Sequence, residues 1–433
     1  MQAIGVPTVP AEAERWNARE PRSARIRVAL LVHQMRARCC GGLTDRGAAR
    51  DATTRYAADV RYPDRGILPH TSGMTRLLAR SAARIGTASA LIVLIGIAQA
   101  GCAGPWQSPP VVHAVVETQP VASTGDAADD PAIWVNETDP AASLIIGADK
   151  RRGLEVYRLD GTLRQSLPDG RLNNVDVRDG FVLEQRSLAI VAASDRDHDS
   201  IALYAITPGS LQLANVADGV LKTGLTKIYG LCMYADRARG RHYVFVNDKD
   251  GRYQQHELEA RPGGRVGARM VREFRLERRP EGCAADDELG WLYVGEEATG
   301  VYRLPAAADA AATLEVVDRT GKGHLEADVE GIAIFRRRDG RGYIVVSSQG
   351  DDAYAVYERA PPNRYLGRFR IADGLVDGVS GTDGVDVTSA ALAPPFEEGL
   401  LVVQDGRNTR PGARQDFKLV PWRDVRRALS LPD

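Results

Sequence analysis

An all-β chain, built as a six-bladed β-propeller with mostly four-stranded antiparallel blades, is what three features of the sequence predict. From about residue 111, short apolar or alternating runs are separated by Gly, Asp and Asn turns, and no segment carries a long helical stripe. Six hairpin-like units recur, each an apolar strand, a polar loop and a second strand of Leu, Val, Tyr or Phe. A further strand with a polar or acidic start precedes each hairpin, and these starts recur at intervals of roughly 45 to 55 residues, about one four-stranded blade.

The hairpins are "LIIGADKRRGLEVYRL", "LAIVAASDRDHDSIALYAI", "HYVFVNDKDGRYQQHEL", "WLYVGEEATGVYRL", "YIVVSSQGDDAYAVYER" and "LLVVQDGRNTRPGARQDFKLV". The strands before them are "DDPAIWV", "NNVDVR", "YGLCMY", "EGCAAD", "EGIAIF" and "DGVDVT". Blades surround an axis, so equivalent loops converge on one face and the starts of the inner strands approach a central channel. On that geometry Asp129 and Asp130 meet Asp176, Glu281, Asp328, Glu330 and Asp383 around one pore mouth.

Carboxylates crowded in a partly dehydrated channel repel, so they must protonate or bind cations. Hard oxygen donors without His or Cys suit calcium, and magnesium less well. Such a ring can equally hold a purely structural ion. The hairpin loops favour a ligand: Lys150 and Arg151, then Arg196, then Lys249 occupy corresponding positions in three successive loops. Cations beside a metal cluster suit a molecule that carries several phosphates.

The chain has 433 residues and a formal net charge of -1, which by itself points to no polyanionic or polycationic partner and argues against nucleic-acid binding. Its five cysteines are Cys39, Cys40, Cys102, Cys232 and Cys283, with no CxxC pair and no histidine at zinc spacing. Neither a zinc site nor a disulfide scaffold is expected. Cys232 and Cys283 stand near the starts of inner strands and are expected to be buried free thiols, a disulfide being the alternative in an oxidising compartment.

"MTRLLARSAARIGTASALIVLIGIAQAGCAG", from Met74, joins a basic head to a short apolar run and small residues, the pattern of a secretory signal over residues 74 to 102. Residues 1 to 73 are Arg-rich without sustained periodicity; they read as an extension or a mis-set start, with translation beginning at Met74. Cleavage follows Ala98-Gln99-Ala100 or precedes Cys102. Ala100-Gly101-Cys102 resembles the end of a lipoprotein box, with Gln99 in place of the usual aliphatic residue. A lipid anchor at Cys102 is therefore expected ahead of plain secretion. Residues 103 to 110 form a tether to a domain over 111 to 433. An exported monomer, periplasmic, extracellular or surface-anchored, is the expectation.

From about Ala122 to the end the chain also resembles the β-propeller phytases, calcium-dependent bacterial enzymes that hydrolyse phosphate monoesters of myo-inositol hexakisphosphate. The resemblance rests on "DAADDPAIW", "NNVDVR", "EGCAADDE", "VEGIAI", "SSQG", "TDGVDV" and "FKLVPW", in that order and at the family's spacing. It covers none of residues 1 to 110. It implies a six-bladed propeller. It further implies calcium binding by Asp129, Asp130, Tyr229, Glu281, Glu297 of "GEEA", Asp328, Glu330, Gln349, Asp377 and Asp383. Phosphate binding by Lys150, Arg151, Arg196 and Lys249 is implied likewise. Gly381 stands where the family can carry an acid, and Arg151 replaces a frequent lysine.

The expected activity is calcium-dependent hydrolysis of the 3-phytase type by metal-activated water attack, with Glu281, Asp328 and Glu330 as catalytic residues and no covalent phospho-enzyme. Inositol hexakisphosphate, or its calcium complex, is the expected substrate. Two alternatives stand beside it: another calcium-dependent propeller hydrolase such as a lactonase, and a non-enzymatic propeller stabilised by calcium. No RHGxRxP, HCxxGxxR, GxSxG or P-loop stretch is present. His198, the one histidine inside a candidate site loop, reads as a surface residue.

Overall fold

Strands such as Leu144–Asp149 and Gly342–Ser348 are buried at every position. A run of Val, Ile and Leu without polar alternation forms a strand covered on both faces, as blades packed face to face require. The computed structural model describes residues 108 to 432 apart from Pro208, Arg278, Pro411 and Ala413. The predicted extension, the signal segment with Cys102, and the tether up to residue 107 lie outside the described residues. Among the described residues no helix is long and apolar enough to cross a membrane.

Six small sheets are the six predicted blades. Their inner strands are Ala128–Trp134, Leu172–Leu183, Ile228–Asp236, Pro280–Asp286, Val329–Arg336 and Val385–Thr388, and each inner strand contacts the next around the ring. Blades 1 to 4 add successive antiparallel strands outward. Blade 2 carries the extra strand Leu221–Lys222, and Val111–His113 runs parallel to the outer strand Tyr365–Ala372 of blade 5.

Blade 6 closes the ring by exchange. The segment Val116–Glu117, from the start of the domain, pairs antiparallel with Asp416–Pro421 near its end. Lys418, whose side chain has 0% exposure, locks that joint through Glu117 at 2.7 Å, Asp377 at 2.7 Å and Asp416 at 3.0 Å. The helix Trp422–Ala428 follows and buries Trp422 against Phe335 and Tyr343.

The core is likewise partitioned. Each of six apolar clusters fills one blade interface: Val156 with Tyr204, Ile190 with Val244, Phe245 with Leu292, Tyr293 with Ile344, Val345 with Leu401, and Tyr157 with Phe417. A fully buried Val, Leu or Phe contributes about 1.5–3 kcal/mol, so every interface is a substantial and separate piece of the ring's stability.

One expectation is corrected at an interface. Cys232 and Cys283 are not free thiols but a disulfide, with a Cα–Cα distance of 5.7 Å. They lie on the inner strands of blades 3 and 4, where the ring is narrowest and neighbouring backbones come within bridging distance.

Candidate metal and phosphate site

The starts of the inner strands share one device. In blades 1 to 5 the register with the second strand slips at this point, a β-bulge in each case. The bulged pairs are Asp129-Asp130, Asn173-Asn174, Tyr229-Gly230, Glu281-Gly282 and Glu330-Gly331, and Asp383-Gly384 stands at the matching place in blade 6. A bulge re-aims a side chain that a regular strand would send between blades.

The first residues of these pairs meet across the ring. Asn173 Nδ2 donates to Glu281 Oε1 at 3.1 Å and to Asp129 Oδ1 at 3.3 Å. The Tyr229 hydroxyl and Glu330 both hydrogen-bond to Glu281. Lys150 Nζ joins Asp129 to Asp383, at 3.3 and 2.8 Å, and also reaches Asp126 at 2.6 Å. Gln349 Nε2 donates to the other oxygen of Asp383 at 2.7 Å.

Glu281, Glu297 and Glu330 are buried, and each offers an oxygen within 4.8 Å of the other two. Among the described residues, Glu297 Oε1 and Glu330 Oε2 have no hydrogen-bond partner. Burial, with the charge of Glu281, pushes Glu330 well above the usual carboxylate range. Burial likewise brings Glu297 up to about 7 and raises Glu281, Asp129 and Asp383. Three carboxylates this close in a poorly solvated place require protons or a cation, and orphaned oxygens of this kind fit a hard divalent ion.

Three of the four predicted phosphate ligands, Lys150, Arg196 and Lys249, touch residues of this mouth. Burial works against the charge of Lys150, but Asp129 and Asp383 outweigh it and hold its pKa above the ordinary value. Lys249 Nζ sits 3.7 Å over the Tyr229 ring, and burial lowers its pKa. Arg196 donates to Asn173 Oδ1 at 2.8 Å. Arg151 is exposed and donates to the Asp126 carbonyl at 2.9 Å.

Other predicted positions lie elsewhere. Asp328 is exposed at the rim and bears on Glu297 through its charge, outside the three-carboxylate group. Asp377 is held by Lys418 and by Thr409, whose N and Oγ1 lie at 2.5 and 2.7 Å. Burial pushes Asp377 up, but these donors outweigh it and bring it down to about 2.

Asp176 does not join the mouth, which corrects its expected place. It pairs with Arg178 at 2.7 Å in a deeper layer that includes Asp287 and Asp386. Asp130 stands between the layers, accepting from Val175 N at 3.3 Å and feeling both Asp129 and Asp176. The deeper part of the channel is a cavity of about 190 Å³. His198 is a surface residue, 56% exposed, with Nδ1 2.7 Å from Asp195 Oδ2.

Two functional candidates escape the sequence reading. Asn173 becomes visible only when the strand starts are superposed position by position. Arg279, two residues before Glu281, places Nε 3.0 Å from Glu297 Oε2.

Comparison with known proteins places the chain in a family. Residues 76–432 match the family described as Phytase. The 3-phytase of Bacillus subtilis (strain 168) is 41% identical over 330 residues, which is 74% of this chain and 86% of that protein. Among solved structures, a putative oxidoreductase (glucose dehydrogenase) of Thermus thermophilus is 16% identical with a TM-score of 0.43, covering 72% of this chain and 100% of that one.

Proposed function

Because the chain belongs to the phytase family and is a phosphoric monoester hydrolase, we propose that calcium held by its acid ring is what the hydrolysis depends on. The observation that carries this reading is the group Glu281, Glu297 and Glu330, buried within 4.8 Å of one another. Two of its oxygens have no hydrogen-bond partner. Asp129, Asp130, Asp383, Tyr229 and Gln349 would complete the oxygen donors around the mouth, with Asp328 added from the rim. Asp377 would serve a separate position beside Lys418.

Calcium bound there supplies positive charge that neutralises phosphoryl oxygens and lowers the pKa of adjacent water. The chain's own groups do the rest. Lys150 and Lys249 act as point charges on phosphate oxygens, while Arg151 and Arg196 offer planar forks that grip two oxygens at once. Glu281, Asp328 and Glu330 are the proposed catalytic residues. Inositol hexakisphosphate or its calcium complex is the proposed substrate. Export by the segment from Met74, a lipid anchor at Cys102 and a monomeric state belong to the same proposal.

Phosphate release from inositol hexakisphosphate is the test, run with calcium, with a chelator, and with calcium restored. Activity should vanish and return, and Glu281→Gln should lose ~10²-fold or more in kcat while keeping its fold. Undiminished turnover in chelator would remove calcium from the reaction.

A further inference from the structure

Arg279 has no role in the site as described so far, yet it is built into it. Its backbone N donates to the Lys249 carbonyl at 3.2 Å, and its carbonyl accepts from Glu297 N at 3.2 Å. It is thus tied between the loop carrying a phosphate ligand and the loop carrying a metal ligand. Its φ is 47°, in the left-handed region that favours glycine, so a large side chain stands where the backbone prefers none.

The side chain is 57% exposed, and Nε lies 3.0 Å from Glu297 Oε2. The other oxygen of Glu297, Oε1, is buried without a partner. One carboxylate therefore has two faces: an outer oxygen held by a guanidinium at the surface and an inner oxygen turned to the acid cluster. The charges of Arg279 and Arg196 each act on Lys249, so both guanidinium groups lie in its neighbourhood.

We propose that Arg279 is a fifth phosphate-binding residue of this enzyme: anchored by Glu297, its guanidinium takes a phosphate oxygen of the substrate at the edge of the metal cluster. The inference rests on the calcium-dependent reading above. A guanidinium engaged through Nε to a carboxylate keeps further N–H donors in its plane for a second oxyanion, whereas a lysine there would offer a single point of charge. With Arg196 and Lys249 it forms a cationic arc beside the cluster, suited to a substrate with neighbouring phosphates.

Three forms of the full chain test this: wild type, Arg279→Gly, which suits the left-handed backbone, and Arg279→Lys. Calcium is titrated into each by calorimetry, inorganic phosphate is then titrated into the calcium-loaded protein, and KM is measured with inositol hexakisphosphate. Arg279→Gly should bind calcium within about threefold of wild type while losing about tenfold in phosphate affinity and gaining about tenfold in KM, the worth of one charge-assisted contact. Arg279→Lys should fall between.

Wild-type phosphate affinity and KM in a calcium-loaded Arg279→Gly protein would overturn the role of Arg279 and leave the calcium reading standing. Loss of calcium binding by that variant would make Arg279 part of the metal site instead and also overturn the proposal. A wild-type chain that hydrolyses its substrate without binding calcium would overturn both readings.

Discussion

Gly282 and Glu330 touch backbone to backbone: a Cβ on Gly282 would lie 2.1 Å from the Glu330 carbonyl oxygen and 2.7 Å from its carbon. The inner strands of blades 4 and 5 can approach this closely only because the second residue of the bulge has no side chain. Glu281, the residue before, and Glu330 then come near enough to share the cluster.

Gly282→Ala should therefore damage both stability and the site. Backbone atoms cannot rotate away as a side-chain tip can, so the two strands must part, at a cost of about 1–3 kcal/mol. Chemical denaturation and calcium titration check this. Gly412→Ala, where an added Cβ meets nothing within 4 Å among the described residues, is the control expected near wild type. Wild-type stability and calcium affinity in Gly282→Ala would show that the close approach is dispensable.

Glu297 sets a pH dependence with a definite sign. Burial first, then the charges of Glu281 and Asp328, outweigh Arg279 and raise it from 4.5 to about 7. In chelator-treated protein the folded state holds this proton more tightly than the unfolded chain does. The resulting stability is fully present below about 4.5 and is lost as pH rises through about 7, a difference of about 3 kcal/mol.

Calcium uptake must displace the same proton. Calorimetry in two buffers of different ionisation heat should report proton release at pH 6 and less of it at pH 8.5. Equal binding heats in both buffers at pH 6 would contradict a protonated cluster.

The propeller was legible because its signal is repeated. Six strand starts at a regular interval, each with a turn and a hairpin behind it, leave few other architectures. The mouth residues were legible for a related reason: a bulge tolerates an acid or amide where a regular strand would demand an apolar side chain, so these positions stand out.

Depth along the channel was not legible. Asp176 follows Asn173 by three residues, as Asp386 follows Asp383, and both belong to the lower layer rather than the mouth. In "NNVDV" and "DGVDV" the polar residues read as one cluster until the strand separates them. The Cys232–Cys283 pairing depends on the distance between two inner strands, which no local pattern encodes. Asn173 carries no charge to draw notice, although it ties three blades together.

Arg359 offers a stability test remote from the chemistry. Its side chain and that of Asp286 both have 0% exposure. Two bonds of 2.5 Å join them, and Arg359 also donates to the Gly340 carbonyl at 3.0 Å. The pair fastens the turn after Ala353–Glu358 in blade 5 to the end of the inner strand in blade 4. Arg359→Met strands a buried carboxylate and should cost about 3–5 kcal/mol. Combining it with Asp286→Leu should cost less than the two single substitutions added together. Strict additivity would mean that the pair is not coupled.

The Cys232–Cys283 bridge spans 51 residues of sequence and crosses from blade 3 to blade 4. On the chain-entropy account, closing a loop of that length removes about 4 kcal/mol of freedom from the unfolded chain, and measured effects run lower where the unfolded chain keeps structure. The double substitution Cys232→Ala and Cys283→Ala should therefore lower unfolding stability by about 2–4 kcal/mol, and reductant should do the same to the wild type while leaving the variant unchanged. Tyr229 and Glu281 lie on the same two strands but are aimed by their own bulges. Calcium affinity should accordingly survive loss of the bridge far better than it survives Gly282→Ala. Alkylation of both cysteines in denatured, unreduced protein would show that no bridge forms, and an equal loss of calcium affinity in the two variants would show that the bridge, rather than the glycine contact, holds the mouth in shape.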